Sequence, residues 1–251
     1  MTYISKYSKV VVTRGAAAVL GLSLLAGCAT GPHTNPEDPF ESFNRSMYSF
    51  NDGLDRAVLK PVATVYHDVA PKPVRTGVSN FFANLGDIWS FVNNLLQGRG
   101  TEAFDSMVRV NVNTVFGLGG LLDIASEMGV QRHKQDFGLT LGRWGLNTGP
   151  YLVLPLLGPS TVRDTVALPV DFYGDVAGHI SDVRVRNSLY GLRIVEKRES
   201  LLNVGDVLEA AALDPYSFTR DVYLQVRSQR VGPRRGQTQN LDDAGKLPED
   251  Y

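Results

Sequence analysis

Few side chains in this 251-residue chain are of a type that carries chemistry. There is one cysteine, Cys28, and there are four histidines, His33, His67, His133 and His179. A thiolate can serve as nucleophile, metal ligand or acyl acceptor. The histidines are too scattered to show metal-ligand spacing. No Gly-x-Ser-x-Gly turn presents a nucleophilic serine. Asp123, His133 and Asp136 fall on one stretch, and an acid–base set there is conceivable. Loop aspartates are far more often helix caps and turn formers. Gly117-Leu118-Gly119-Gly120 could cradle a phosphate at a helix start. It lacks a preceding strand and a following Lys-Ser/Thr, which favours a close-packed turn. The expectation is no enzyme, no catalytic residue, no metal and no cofactor.

Cys28 is the exception because of what precedes it. Lys6, Lys9 and Arg14 make a basic start, Ala16 to Leu25 an apolar run, and Ala26-Gly27 a small-residue exit. That order is a secretory signal. The run is roughly 12 residues, short of the roughly 20 that span a bilayer. Leu25-Ala26-Gly27-Cys28 resembles the lipobox of bacterial lipoproteins, whose thiol is acylated and becomes the mature N-terminus. Cleavage removes three of the 25 cations and none of the 26 acids, leaving a net charge of −4. Such a balance offers no footprint for nucleic acid and no polybasic grip on anionic lipid. The hold on a membrane is then covalent and hydrophobic. With Cys28 acylated no disulfide is available, so the fold must rest on its 43% apolar residues.

The elements that position these residues read as helices. Residues 29–37 form a tether, broken by Gly31, Pro32 and Pro36. Phe40, Phe43, Met47, Phe50 and Leu54 predict a helix over 38–55, and a second helix is expected after Pro61. Over 72–97 the apolar stripe is Val74, Val78, Phe81, Leu85, Ile88, Val92 and Leu95. The opposite face carries Ser79, Asn80, Asn84, Ser90, Asn93, Asn94 and Gln97, with Asp87 its only charge. Two readings stay open: an ordinary amphipathic helix, or one whose faces both avoid bulk water. Residues 101–115 repeat the theme, with Phe104, Val108, Val112 and Val115 on the stripe and Asn111 and Asn113 off it. Residues 149–159 are the most apolar stretch of the mature chain and contain three prolines. They are a buried extended strand, or else they lie in lipid or line an apolar passage. Further helices are expected at 160–176, 182–202 and 214–231, the second being the most water-facing. The class is all-α, a single domain with short irregular apolar loops. The organisation is a signal peptide over 1–27, a tether over 28–37, a helical domain over 38–231 and a disordered tail over 232–251.

Several motifs converge on a known family. Asp38-Pro39-Phe40-Glu41-Ser42-Phe43-Asn44-Arg45 with Phe50-Asn51 resembles the opening of the VacJ/MlaA lipoproteins. The likeness continues through Val92-Asn93-Asn94-Leu95-Leu96-Gln97-Gly98, Arg109, Asn113-Thr114, Gly117 to Gly120 and Asp123-Ile124-Ala125. Asp136-Phe137-Gly138, Gly149-Pro150-Tyr151, Leu154-Pro155, Arg163-Asp164 and Asp214-Pro215-Tyr216 complete it.

The resemblance implies an outer-membrane lipoprotein held through Cys28 in the periplasmic leaflet, and a helical ring around an amphipathic passage. Mislocalised phospholipid would leave the outer leaflet through it, bound for a periplasmic phospholipid-carrier protein, and lipid asymmetry would be maintained. A trimeric porin is an implied partner. Ala29 behind the cysteine is similar to lipoproteins sorted to the outer membrane. Candidates for the passage or its gate are Gly117, Leu118, Gly119, Gly120, Tyr151, Leu154 and Pro155. Two rivals remain: a structural lipoprotein docking on porins through the 182–202 helix, and a hydrolase of the same lipids.

Overall fold

The computed structural model describes residues 38–202 and 212–232. Cys28, the signal segment, the tether and the tail beyond Gly232 lie outside the described residues. The described part is mostly helical. In chain order it comprises α1 (Glu41–Leu54), a π-helical turn (Asp55–Leu59), α2 (Lys60–Val69), α3 (Lys72–Leu96) and α4 (Gly100–Val115). Then come α5 (Ile124–Glu127), α6 (Phe137–Arg143), strands β1 (Tyr151–Leu154) and β2 (Gly158–Thr161), and α7 (Val162–Gly174). A 3₁₀ turn (Val176–His179), α8 (Val183–Glu199) and α9 (Pro215–Val231) complete it.

Pro61 does not start a separate helix. α1, the π turn and α2 run on without a break, with Leu54, Leu59 and Lys60 all right-handed helical. Proline lacks an N–H and its ring crowds the carbonyl four residues back. The widened turn absorbs that conflict, as the Lys60 N–H bonds to the Asp55 carbonyl five residues back.

Residues 149–159 enter a hairpin. Tyr151 pairs with Thr161 and Leu154 with Gly158 in an antiparallel register. Leu156 holds φ +65 in the three-residue turn, a left-handed conformation that leucine adopts at a cost and that turn-residue patterns do not anticipate. The outer edge of β1 is closed by two asparagines of α1, seven residues apart on one face. Asn44 donates to the Tyr151 carbonyl at 3.1 Å and accepts from the Val153 N–H at 2.8 Å. Asn51 donates to the Leu154 carbonyl at 2.9 Å and accepts from the Leu156 N–H at 2.8 Å. Two carboxamides thus replace a third strand and satisfy the edge.

The packing closes on itself. α1 meets β1, β2 meets α9, α9 meets α6, α6 meets α3, α3 meets α8, and α8 meets α2, which continues α1. That cycle is a ring. α4 packs outside it along α3, and α7 packs on α6.

The ring is inverted relative to a water-soluble domain. Among the described residues twenty polar or charged side chains are buried against ten apolar ones, of which five are alanines. Thirty-three large apolar side chains are exposed. On α3 the buried side is Asn84, Asp87, Ser90, Asn93 and Asn94, continuing into Gln97, while Val74 and Leu95 of the apolar stripe are exposed. α4 buries Ser106, Arg109 and Asn113 and exposes Phe104 and Val115. Exposed Val58, Val62, Val65 and Val69 run as one stripe along α2, and Val162, Val166 and Val170 along α7. Apolar surface on this scale marks contact with membrane or protein. No described helix is long and apolar enough to cross a membrane.

Candidate functional site

The polar interior is held by interlocked side chains. Arg109, 1% exposed, donates to both oxygens of Asp123 at 2.7 and 2.8 Å and to Asp87 at 3.3 Å. It also reaches the Ser126 hydroxyl at 3.1 Å and the Val130 carbonyl at 2.6 Å. Arg132 joins Asp87 at 3.2 Å and Asp123 at 3.6 Å, so two cations face two carboxylates. Asn113 donates to Asp123 at 3.0 Å and accepts from the Ala125 N–H at 2.9 Å.

Asp123 and Asp136 are N-caps, accepting from the Ser126 and Leu139 N–H groups. His133 instead pairs with Asp105 at 2.9 Å. The loop is built around helix starts, and the three residues do not assemble into an acid–base set.

These carboxylates respond oppositely to burial. Burial pushes the Asp123 carboxyl up, but bonds from Ser126, Arg109 and Asn113 outweigh it and hold it at about 2. Burial dominates at Asp87 and raises it despite Arg132 and Arg109. A depressed carboxyl contributes stability that is present above its unfolded value, near 3.8, and lost as pH falls toward the folded value. Asp123 should therefore contribute on the order of 2 kcal/mol at neutral pH. Asp87 opposes this, since protonation relieves part of its burial cost. Thermal melts in detergent should show wild type losing stability between about pH 4 and pH 2. Asp123→Asn should be less stable at neutral pH and flatter across that window; an unchanged slope would refute the assignment.

Beside this network lie three cavities of about 390, 480 and 520 Å³ that share lining residues. The first lies between α3, the hairpin, α7, α8 and α9. Leu85, Trp89, Leu154, Leu157, Leu168 and Phe172 form its apolar wall, and Asp136, Asp164, Asp171 and Asp175 its acidic one. The Trp89 indole N–H donates to Asp171 at 2.7 Å. A methyl group at Gly174 would sit 2.4 Å from the Trp89 ring, so only glycine lets α7 end this close to the tryptophan. The second cavity shares Gly86, Ser90 and Arg193 with the first, and adds Arg132, Glu196 and Lys197. The third is basic, with Arg99, Arg132, Arg143 and Arg230. Lys134 lines all three. The first cavity is thus amphipathic, with Arg193 and Arg227 paired to three of its four aspartates, and the third is cationic. Among the described residues no cluster of three or more His, Cys, Asp or Glu could hold a metal.

The candidate residues divide. Leu154 lines the first cavity. Tyr151 is buried at the base of the hairpin, edge-on to Tyr216 and Tyr223, and Pro155 sits exposed in the hairpin turn. Gly117 to Gly120 line none of the three cavities. They form the C-terminal cap of α4, with the Gly120 N–H on the Asn113 carbonyl at 2.8 Å and the Gly119 N–H on the Thr114 carbonyl at 3.0 Å. Gly120 has φ +95, and a methyl there would sit 2.7 Å from the Asn84 amide nitrogen. This turn packs on the face of α3 carrying Gly77, Asn80 and Asn84, opposite Ser79, Phe82 and Gly86 of the cavities. Phe116, Leu118, Leu121 and Leu122 around it are exposed.

α8 is less water-facing than its charges suggest. Glu196 is buried, and Arg198 grips Asp55 of the π turn with bonds of 2.6 and 2.8 Å. Glu199 pairs with Arg75 and His67, and Arg193 with Asp175 at 2.7 Å. These charges join α8 to the ring; Arg184 remains exposed.

Sequence reasoning did not single out Lys134, Trp89, Asp171 or Arg227. Lys134 had one signal, the polar segment Gln131-Arg132-His133-Lys134-Gln135 between helices; the other three lie within helices whose stripes gave no hint of a shared cavity.

Comparison with known proteins bears on the whole of this architecture. The profile of a family described as MlaA lipoprotein matches residues 36–230. A Haemophilus influenzae protein named intermembrane phospholipid transport system lipoprotein MlaA is 36% identical over 221 residues, covering 83% of this chain and 86% of that one. Its Escherichia coli K12 namesake is 35% identical over 218 residues, covering 84% and 86%. A solved structure described as "Structural basis for maintenance of bacterial outer membrane lipid asymmetry" superimposes with a TM-score of 0.68 at 33% identity, covering 78% of this chain and 99% of that one.

Proposed function

The chain belongs to the MlaA lipoprotein family, and from that premise we propose that it is an outer-membrane lipoprotein that clears mislocalised phospholipid from the outer leaflet. It passes the lipid to a periplasmic carrier and so maintains lipid asymmetry. The ring sits in the periplasmic leaflet beside a trimeric porin. The observation that carries this reading is the inversion: a closed ring, apolar outside, around a passage with polar walls.

The physical task is to move a polar headgroup past hydrocarbon. A charged group at the bilayer centre costs several kcal/mol even after local relaxation. A passage lined by Asp, Arg and Lys replaces water for that group, while Leu85, Leu154, Leu157 and Phe172 face the acyl chains. No bond is made or broken, and direction comes from the downstream acceptor.

The test uses lipidated full-length protein in vesicles, with labelled phospholipid and a periplasmic carrier as acceptor. An ether phospholipid, which lacks the ester bonds that an acyl hydrolase cleaves, should be transferred as fast as its ester counterpart. Transfer limited to the ester form would instead support a hydrolase. Metabolic labelling with an alkyne fatty acid should mark wild type and not Cys28→Ala, and the variant should fail to restore outer-leaflet asymmetry in a deletion strain. Equal labelling of both would overturn the anchor.

A further inference from the structure

We propose that the third cavity is the recognition site for the phosphodiester of a phospholipid headgroup, with Lys134 as the cation that engages it. This rests on the transport reading and adds where in the passage the headgroup is held.

Arg99, Lys134, Arg143 and Arg230 converge on this cavity, and Glu102 is the one carboxylate among its lining residues. Arg132 is already committed to Asp87 and Asp123. Arg99 donates to the Arg230 and Val231 carbonyls at 3.2 and 2.9 Å, tying α9 to the rim without neutralising its own charge. Lys134 forms no hydrogen bond or ion pair among the described residues, and it lines all three cavities. It is exposed to solvent, as is Arg230, while Arg99 and Arg143 are half-buried. Burial, with Lys197, Arg230 and Arg193 nearby, holds it below the usual lysine range. Burial and Arg143 do the same to Arg99. The cavity is thus an open, solvent-connected group of cations facing a single carboxylate, and an anion entering it relieves part of their mutual repulsion.

The rest of the passage identifies which anion. Lys134 also lines the first cavity, whose apolar wall is formed by Leu85, Trp89, Leu157 and Phe172. A phosphate held at Lys134 can therefore have acyl chains on that wall. Free phosphate would leave the wall unused.

The experiment measures lipid retained by full-length protein after equilibration with mixed micelles. The probes are phosphatidylglycerol, diacylglycerol with the same chains, and inorganic phosphate as competitor. Lys134→Gln should lower phosphatidylglycerol retention about tenfold, the loss of one charge-assisted hydrogen bond. Lys134→Glu should lower it further. Diacylglycerol retention should be unchanged in both, which also reports that the passage is intact. Inorganic phosphate should compete weakly. Unchanged phosphatidylglycerol retention in Lys134→Gln, or equal loss of both lipids, would overturn the proposal. Inorganic phosphate competing as strongly as the lipid would reassign the cavity to free phosphate. If wild type retained neither lipid, the transport reading itself would fail.

Discussion

Arg109→Ala is expected to cost about 3–5 kcal/mol, the penalty for stripping a buried ion pair of one partner. The guanidinium uses all three nitrogens, bonding Asp87, Asp123, Ser126 and the Val130 carbonyl. Without it Asp87, whose carboxyl is already raised by burial, keeps only Arg132. For a domain of this size the loss corresponds to a drop of roughly 10 °C or more in melting temperature. Arg109→Lys should fall in the same direction, because a point charge cannot replace a planar fork serving several acceptors. The triple variant Arg109→Met, Asp87→Asn, Asp123→Asn should recover part of the loss by removing the stranded charges. Melts in detergent and steady-state abundance in the membrane fraction measure this. A melting temperature within about 1 °C of wild type would show that the network does not hold α3, α4 and the 123–132 loop together.

The second large effect concerns the exterior. Val65 on α2 is 62% exposed and Val166 on α7 is 67% exposed. If water covers them, an aspartate at either position should change stability by no more than about 0.5 kcal/mol. If hydrocarbon covers them, each aspartate should cost about 2.5–3.5 kcal/mol in the membrane. Val65→Asp and Val166→Asp are therefore expected to melt like wild type in detergent, which adapts around them. In lipid nanodiscs they should melt lower, and the double variant lower still. The cysteine anchor should be kept intact in these variants, so that the reading reports the ring and not the acyl chains. Equal melting in detergent and lipid would place both stripes in water and favour a peripheral domain tethered by Cys28 alone.

Helix positions were largely legible because hydrophobic periodicity is local. The stripes over 72–97 and 101–115 become α3 and α4, and helices expected at 160–176, 182–202 and 214–231 become α7, α8 and α9. The Asn-rich, nearly uncharged face of α3 was a sound clue, since a helix face washed by water ordinarily carries more Lys and Glu. Misread details have local causes too. At Pro61 a π turn absorbs what reads as a helix start. Hairpin 151–161 turns through Leu156 rather than through glycine or asparagine. The charges of α8, written as a solvent face, are drawn inward by Asp55, Arg75 and Asp175.

The sequence by itself determined that these helices have two unlike faces and that the motifs are those of the MlaA family. A 3.6-residue period records only that two sides differ; it is the same pattern whether the polar side or the apolar side turns inward. Only the tertiary structure decided that orientation. A buried Arg109 or Asn113 is tolerable solely if Asp123 and the Ala125 N–H arrive from elsewhere in the chain to bond it. The same holds for the passage. Lys134, Arg99 and Arg230 belong to separate segments, and their shared cavity exists because closing the ring brings α9 and the 131–135 segment to one rim.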